Sequence, residues 1–436
     1  MDNPERAVLG LRHDPGGALS TRKAGAASAE HRSWVWTPLS VGLDPSRPRR
    51  ARLEARRRLW LGVHLWLGLL VGGLLAIVGL SGTALVFYME LDEALNPSLL
   101  LADPAPRDGP RIALEHVVDA TGGHAEGWRL AGVLAPRNDG ANWDVWFDRP
   151  GVDPDAGNAI REVLVDPSNG RVHGTRDRDP GRGLPPSLVS FLFVLHDSLL
   201  VPWHGERIVG FLAVVLLVSV GSGIIVWWPL GGPWLTALRP RRRLSGQRLN
   251  LELHRLSGAW TAIVLTTVLV SGISMNLHDE FVWLVRLASP GAEAPRPVTS
   301  GPARGREALG IDAAFARAWA AYPSGRLHSV VVPDGPDGVF TVTLHDVPGT
   351  SRFWAERVIT VDAHSGEILD VRDATTRHAG GDTVLDWQWP LHSGQAFGWP
   401  GRLAVFLAGL ACPLLFVTGV FRWVRKRRGR NRPLPT

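Results

Sequence analysis

The chain has 436 residues, of which 45% are hydrophobic and 20% are charged, and its formal net charge is +6. The basic residues cluster beside long apolar segments, so the positive charge indicates no nucleic-acid partner. The only cysteine, Cys412, lies inside one of these apolar segments, which excludes a disulfide, a thiolate metal cluster and a c-type haem attachment within the chain.

The first predicted element is a disordered cytoplasmic tail, residues 1–50, which is rich in Gly, Ala, Ser and Pro. Four later segments are long and apolar enough to cross about 30 Å of hydrocarbon, and tryptophans lie near their ends, as is typical of membrane interfaces. They predict four transmembrane helices, at 59–89, 208–230, 251–275 and 402–424.

Arginine and lysine clusters precede the first predicted helix, occupy the loop 231–250 and follow the fourth helix in the basic tail 425–436. Because such clusters stay in the cytoplasm, both termini and this loop are predicted to be cytoplasmic. The long segments 90–187 and 276–390 are then extracytoplasmic α+β domains of a multi-pass protein, and in a bacterium the membrane is the inner membrane.

The second half of the chain repeats the spacing of the first half, which predicts a tandem duplication. The motif 64-HLWLG-68 matches 254-HRLSG-258, and a Ser-Gly pair follows 17 residues after the histidine in both. Likewise, 222-SGIIVW-227 matches 418-TGVFRW-423. The predicted fold class is therefore an α-helical membrane protein whose four transmembrane helices form two tandem two-helix repeats, related by a pseudo-twofold axis along the membrane normal.

The extracytoplasmic segments repeat as well. The segments 163-VLVDPSNGRVHGTRD-177 and 358-VITVDAHSGEILDVRD-373 each contain a strand, an Asp-x-x-x-Gly turn and a second strand. This pattern predicts a β-hairpin whose glycine has a positive φ. A histidine follows 30 residues after the turn aspartate in each half, at His196 and at His392.

Four histidines occupy equivalent positions, and the axis pairs His64 with His254 and His196 with His392. Two neutral imidazoles are the axial ligands of a six-coordinate b-type haem, and helix bundles commonly hold such cofactors. The sequence therefore predicts two haem sites, one near the cytoplasmic face and one at the outer ends of the segments 188–230 and 391–424.

Other interpretations of the histidines remain open. Zinc or copper is a weaker hypothesis, because two imidazoles fill only half of the usual zinc coordination shell. Interfacial histidines also serve as hydrogen-bonded structural side chains. On the outer side, 32 residues separate His196 from Trp228, about 48 Å as one helix, so the helix either projects outward or breaks near Pro202 and Pro400.

The combined motifs resemble the PepSY-associated transmembrane helix family of bacterial iron-regulated membrane proteins, and the two hairpins resemble PepSY modules. The resemblance covers about residues 55–428. The motifs that match are His64, Ser81-Gly82, Leu195-His196, Ser222-Gly223, Leu253-His254-Arg255, Leu391-His392-Ser393-Gly394 and Thr418-Gly419. The sequence departs from the family pattern in 202-PWHG-205, where His204 is an additional candidate ligand, and His278 is another unmatched outer histidine.

The resemblance implies a siderophore reductase with two b-type haems, bound by His64, His254, His196 and His392, that passes electrons outward to a ferric siderophore or another ferric chelate. No dinucleotide-binding or phosphate-binding glycine motif occurs in the sequence. The expected electron donor is therefore a separate cytoplasmic or membrane component. Among the outer residues, Arg161, Arg357, Trp143, Trp146, Trp354 and Trp387 are candidates for chelate binding, with ordinary structural roles favoured. The alternative function is a non-redox membrane binding or regulatory protein.

Overall fold

The structure is a computed structural model, and it describes residues 47–104, 113–149, 159–178, 187–229, 234–241, 246–290, 298–348, 355–373, 375–376 and 380–430. The helices are α1 (Arg47–Leu70), α2 (Gly72–Leu85), α3 (Tyr88–Leu95), α4 (Pro97–Leu100), α5 (Leu114–Asp119), α6 (Leu188–Ser198), α7 (Gly205–Trp227), α8 (Trp234–Ala237), α9 (Gly246–Asn276), α10 (His278–Ala288), α11 (Ile311–Ala321), α12 (Gly380–Asp386), α13 (Gln388–Ser393) and α14 (Gly398–Arg430).

The strands are β1 (Arg129–Leu134), β2 (Trp143–Arg149), β3 (Ala159–Val165), β4 (Val172–Arg178), β5 (Arg326–Val331), β6 (Val339–His345), β7 (Arg357–Asp362) and β8 (Ile368–Asp373). Within the predicted tail 1–50, only the start of α1 is described, and residues 431–436 of the basic tail also lie outside the described residues.

Three helices of the described chain, α7, α9 and α14, are long and apolar enough to span a membrane individually. The first predicted span, 59–89, differs from the expected single helix, because α1 and α2 meet at an angle of 62° and count as a fourth span only when taken together. The break lies at Val71, and the next two residues, Gly72 and Gly73 of α2, face the Phe416 ring of α14, which occupies the space that side chains would fill. Glycine also favours bending because it stabilises a helix poorly.

The outer segments ahead of α7 and α14 are separate short helices. Helix α6 ends at Leu199, which adopts a left-handed conformation, and the chain then turns around Pro202 before α7 begins. Helix α13 ends at Gly394 with a φ of 76°, and α14 begins at Gly398, so this break precedes Pro400 instead of lying at it. The long helix that would project about 48 Å is therefore replaced by a helix, a break and a span.

The eight described strands form one antiparallel sheet, in the order β4-β3-β2-β1-β5-β6-β7-β8. Each half of the chain contributes a four-stranded meander, and the two meanders join where Val133 of β1 lies opposite Val330 of β5. The two extracytoplasmic segments that the sequence predicts thus share one continuous sheet.

One face of this sheet contacts α5 and α11, and the core lies between them. Strand β2 alternates, with Val145 and Phe147 buried, as expected for a half-covered sheet. Ala314 and Ala318 of α11 are completely buried, so their small side chains allow the helix to lie close to the strands. The Asp312 carboxylate of α11 accepts the backbone N–H groups of Leu114 and Glu115, and so caps α5 of the other half.

Both predicted hairpins are present, and the positive φ of their glycines is confirmed, at 73° for Gly170 and 71° for Gly366. The aspartates at the start of the turns, Asp166 and Asp362, are buried. Burial alone raises the pKa of a carboxyl, but hydrogen bonds from the turn hold the pKa of Asp166 and of Asp362 below the usual range. These buried carboxylates therefore fix the turn conformation.

Candidate functional site

The first predicted histidine pair comes together between the long helices. His64 lies on α1 and His254 lies on α9, and their ring centroids are 6.1 Å apart with an angle of 72° between the planes. The two residues are 190 positions apart in the chain, so only the packing of the helices brings them into contact.

Each ring of this pair is fixed by the partner helix of its own half. His64 Nδ1 lies 3.1 Å from the backbone carbonyl of Ser219 and 3.1 Å from the Ser222 hydroxyl, both on α7. A carbonyl only accepts hydrogen bonds, so Nδ1 carries the proton, and the Ser222 hydroxyl donates its own hydrogen to the same carbonyl. The lone pair of His64 is therefore on Nε2.

His254 has the same arrangement with α14. Its Nδ1 lies 3.1 Å from the Leu415 carbonyl and 2.9 Å from the Thr418 hydroxyl. The Thr418 hydroxyl donates to carbonyls one turn earlier in α14, so it too accepts from the imidazole. His254 is again a neutral ring with a free lone pair on Nε2.

The second predicted pair lies on the short helices α6 and α13. His196 of α6 and His392 of α13 have ring centroids 6.0 Å apart, with an interplanar angle of 66°. The geometry of this pair is nearly the same as that of the pair of His64 and His254, although the supporting helices are different.

The outer rings are also held through Nδ1. His196 Nδ1 donates to the Val78 carbonyl of α2 at 2.9 Å and lies 3.4 Å from the Ser81 hydroxyl. His392 Nδ1 lies 3.1 Å from the Val268 carbonyl of α9 and 2.9 Å from the Ser271 hydroxyl. Among the described residues, none of the four histidines makes a hydrogen bond through Nε2.

A glycine next to each hydroxyl residue makes room for the ring. A Cβ atom built on Gly82 would lie 2.6 Å from His196 Cε1, and one on Gly223 would lie 3.0 Å from His64 Cε1. The corresponding distance is 3.6 Å both from Gly272 to His392 and from Gly419 to His254. Each ring therefore lies directly against helix backbone.

The Ser-Gly and Thr-Gly pairs of the sequence thus have a shared role that sequence reasoning missed. In each pair the hydroxyl residue lies within 3.4 Å of a histidine Nδ1, and the glycine adjoins the ring, too closely for a Cβ at Gly82 and tightly at Gly223. The spacing of the pairs was visible in the sequence, but the helix that each one faces was not. Other glycines of these helices do not contact the histidines: Gly72 and Gly73 face Phe416, and Gly258 faces Leu415.

The donors and their separation fit a haem iron with two axial imidazoles. An imidazole nitrogen binds a metal at about 2 Å and lies about 1 Å from the centroid of its own ring, so two opposed ligands have centroids about 6 Å apart. Both pairs have this separation. In metal-binding histidines the nitrogen that does not bind the metal usually donates to a carbonyl, which orients the ring and fixes the tautomer.

The two pairs lie near opposite ends of α9. His254 on this helix belongs to one pair, while Ser271, 17 residues later, contacts His392 of the other pair. At about 1.5 Å per residue, the two pairs are separated by about 25 Å along the helix axis. This is close to the roughly 30 Å thickness of a hydrocarbon core.

A family model described as the PepSY-associated TM region matches residues 61–426. The chain belongs to this family. A search of curated proteins gives no match. The match includes both histidine pairs and the candidate membrane spans of the described chain between Leu61 and Lys426. The protein is therefore a membrane protein of the PepSY-associated family.

The remaining predicted residues of this PepSY-associated protein lie outside the pairs. His204 is exposed at the start of α7, and His278 is exposed at the start of α10. Arg161 and Arg357 each form a 2.7 Å ion pair with an aspartate of the neighbouring strand, Asp177 and Asp373. Both guanidinium groups are thus already neutralised, which disfavours them as ligands for an anionic chelate.

The tryptophans predicted as candidates for chelate binding also lie outside the histidine pairs. Trp143 is buried in the core of the sheet, and Trp146 is partly buried, with its ring against Gly132. Trp387 lies just ahead of α13 as its N-cap residue. Trp354 lies outside the described residues. Trp143 is thus a structural residue of the sheet.

Proposed function

We propose that the protein is a di-haem protein of the bacterial inner membrane that moves electrons across the membrane and reduces a periplasmic ferric chelate, with a ferric siderophore as the favoured acceptor. The observation that carries this proposal is the fourfold arrangement of the histidines. Each has its Nδ1 proton fixed on a backbone carbonyl and its Nε2 free, and the rings meet in two pairs about 6 Å apart.

In this proposal His64 and His254 hold one b-type haem and His196 and His392 hold the other. A bound haem supplies a one-electron couple at each site. The chain supplies the axial nitrogens, the tautomers and the spacing. Carbonyls of helix backbone accept all four Nδ1 protons, so this chain holds each ring in one orientation and one tautomer, with Nε2 available to a bound haem.

We also propose the finer architecture that the sequence indicates, with two tandem repeats and a PepSY-like domain in each. The order of strands in the sheet is consistent with this, because it reads the same outward from the β1–β5 junction in both directions. Each histidine is held by its own half of the chain and meets the histidine of the other half. Both pairs then lie at the contact between the repeats, where a pseudo-twofold axis would pass.

The proposed orientation has both termini in the cytoplasm, with the pair of His64 and His254 on the cytoplasmic side. The support is the clustering of Arg and Lys in the N-terminal half of α1, after α7 and at the end of α14. The pair of His196 and His392 then lies on the periplasmic side, next to the sheet. One electron from a cytoplasmic or membrane donor reduces one ferric ion to the ferrous state, which hard oxygen ligands bind less tightly.

The direct test is the haem content of the detergent-purified protein, measured from the oxidised and dithionite-reduced absorption spectra. The wild-type protein is expected to carry two low-spin haems, and His254→Ala and His392→Ala are each expected to lose one. His204→Ala and His278→Ala are matched controls, since these exposed histidines lie outside the pairs. A colourless protein from haem-replete cells, or loss of haem in the controls alone, would contradict the proposal.

Electron transfer is tested separately in sealed vesicles with the reductant on the cytoplasmic side and a ferric chelate with a ferrous indicator on the other side. Reduction of the chelate is expected with the wild-type protein and is expected to fall by at least tenfold in His254→Ala and in His392→Ala. A haem-loaded protein that fails to reduce any ferric chelate would leave the haem sites intact but refute the reductase. A haem-free protein would favour the binding or regulatory alternative.

A further inference from the structure

A second group of potential metal ligands lies in the sheet, away from both histidine pairs. Asp103 follows α4, Asp166 begins the turn of the first hairpin, and His173 lies on β4. One atom from each of these three side chains lies within 4.8 Å of the other two. Metal–oxygen and metal–nitrogen bonds of about 2 Å place ligand atoms roughly 3–4 Å apart, so the three atoms are spaced for one ion.

The imidazole of His173 is buried and has an unsatisfied nitrogen. Its side chain is only 4% exposed, and Nδ1 lies 3.1 Å from the carbonyl oxygen of Ser98. Because a carbonyl only accepts, the proton is on Nδ1, and the lone pair of Nε2 points toward the cluster. Nε2 has no hydrogen-bond partner in the part of the chain that the structure describes.

The neighbours of this lone pair are negatively charged oxygens. His173 Nε2 lies 3.5 Å from Asp166 Oδ2 and 3.7 Å from Asp103 Oδ2. A neutral nitrogen lone pair facing two carboxylates is an unfavourable arrangement in a buried site, and a cation between the three atoms removes the repulsion. A proton on Nε2 would remove the same repulsion, and zinc titration distinguishes a bound cation from a bound proton.

The second half of the chain provides an internal comparison. There, the backbone N–H of Gly301 donates to Asp362 Oδ2 at 2.6 Å, just as the backbone N–H of Asp103 donates to Asp166 Oδ2 at 2.7 Å. The position seven residues after the turn aspartate is His173 in the first half and Leu369 in the second. Turn formation therefore needs only the buried aspartate, and neither the second carboxylate nor the histidine.

We propose that Asp103, Asp166 and His173 bind a first-row divalent transition-metal ion, such as Zn²⁺, in the extracytoplasmic sheet. One imidazole and two carboxylates suit this class of ion, whereas Ca²⁺ and Mg²⁺ prefer oxygen ligands alone. The Asp103 side chain is 40% exposed, which opens the site to solvent and leaves room for water as a fourth ligand. The three ligands lie apart from the histidine pairs, so this proposal does not depend on the haem proposal.

Arg171 competes with the ion for one of the ligands. Its guanidinium lies 3.0 Å from Asp103 Oδ2, and its side chain is 65% exposed. An exposed pair of this kind contributes little and opens easily. Removal of Arg171 should therefore strengthen metal binding, while removal of either ligand should weaken it.

The test is zinc titration of the chelator-treated, detergent-purified full chain by calorimetry, with bound zinc counted after gel filtration. We expect the wild-type protein to bind one more Zn²⁺ per chain than His173→Gln. Asp103→Asn, which keeps the backbone N–H that holds Asp166, should weaken binding by about 10–100-fold. Arg171→Ala should tighten it by about two- to fivefold.

His124→Gln is the matched control, because this exposed histidine belongs to the same sheet region but not to the cluster; its zinc count should equal that of the wild-type protein. Equal zinc binding by the wild-type protein, His173→Gln and Asp103→Asn would overturn the proposal and assign His173 as a protonated partner of the two aspartates. If His173→Gln does not fold, Asp103→Asn decides, since its side chain lies at the surface and its loss removes no core contact.

Discussion

The membrane helices and the eight-stranded sheet differ in how closely the two halves of the chain agree. Among the helices, the same arrangement occurs four times, with a histidine, a carbonyl, a hydroxyl and a glycine. In the sheet, the two halves share the strand order and the turn aspartates Asp166 and Asp362, but many other polar positions differ.

The differences in the sheet are concentrated in polar groups of the first half. Asp103 and His173 have Gly301 and Leu369 as counterparts. Asp144 of β2 lies opposite Leu164, whereas the corresponding position in β6 is Thr341, opposite Thr360. The histidines of the two halves meet at the contact between them, whereas His173 lies on β4, at one edge of the sheet and away from the β1–β5 contact. The comparison therefore distinguishes groups that serve a shared, symmetric site from groups that serve one half alone.

The largest expected effect comes from a single methyl group added beside one histidine, which should make one of the two histidine pairs differ from the other. Gly82→Ala places a Cβ 2.6 Å from His196, whose ring is held by its hydrogen bond to Val78, so the ring must leave its position. On the proposed function, we expect the haem at His196 and His392 to be lost, and haem content to fall from two per chain to one.

Gly272→Ala is the matched control for this substitution. It introduces the same methyl group beside His392, the other ligand of the same pair, but at 3.6 Å, which is an ordinary van der Waals contact. We expect both haems to remain. Equal haem loss in the two variants would show that the close approach at Gly82 does not determine the position of His196.

The next prediction concerns the Asp144 carboxyl of β2, which has no acidic counterpart in the second half. Burial, together with the nearby charge of Glu162, raises the pKa of Asp144 to about 8. Among the residues that the structure describes, one buried oxygen of this carboxyl has no hydrogen-bond partner. Because the unfolded carboxyl titrates near pH 4, the folded state holds an extra proton between about pH 4 and pH 8. The free energy of unfolding therefore falls as the pH rises through this window.

Asp144→Asn removes this proton uptake and should stabilise the protein at pH 8 by about 1–3 kcal/mol, with little gain at pH 4. The measurement is the difference in thermal unfolding between variant and wild type across this pH range. Asp362→Asn should have the opposite effect, since hydrogen bonds hold the pKa of Asp362 low and the carboxylate stabilises the turn above about pH 4. A stability difference for Asp144→Asn that is independent of pH would refute the buried protonated carboxyl.

Local patterns predicted the membrane helices and the two hairpins, because apolar length and residue spacing are properties of short segments. They also predicted the pairing of His64 with His254 and of His196 with His392, because residues at equal spacing in the two halves occupy equivalent positions in the fold. Three features depend on contacts between distant segments: the bend at Val71, the join between β1 and β5, and the hydrogen-bond partners of the histidines. For example, Ser81 contacts a histidine 115 residues away, and nothing in its own segment indicates that partner.

The smallest effect sharpens the comparison within the outer pair, where the two hydroxyls lie at different distances. The Ser271 hydroxyl is 2.9 Å from His392 Nδ1, a good hydrogen bond, while the Ser81 hydroxyl is 3.4 Å from His196 Nδ1, at the limit of one. An acceptor on Nδ1 makes the ring a stronger donor to the metal and stabilises the ferric state.

Ser271→Ala should therefore raise the midpoint potential of the outer haem. A hydrogen bond contributes about 0.5–1.5 kcal/mol, which for one electron corresponds to a rise of about 20–60 mV. Ser81→Ala should shift the potential less, because the Val78 carbonyl already accepts the His196 proton at 2.9 Å. Redox titration of the two variants measures both shifts, and Thr418→Val, which removes an acceptor from His254 of the other pair, should leave the outer potential unchanged. If Ser81→Ala and Ser271→Ala shift the potential equally, the hydroxyl distance does not set the strength of these ligands, and the backbone carbonyls alone orient the rings.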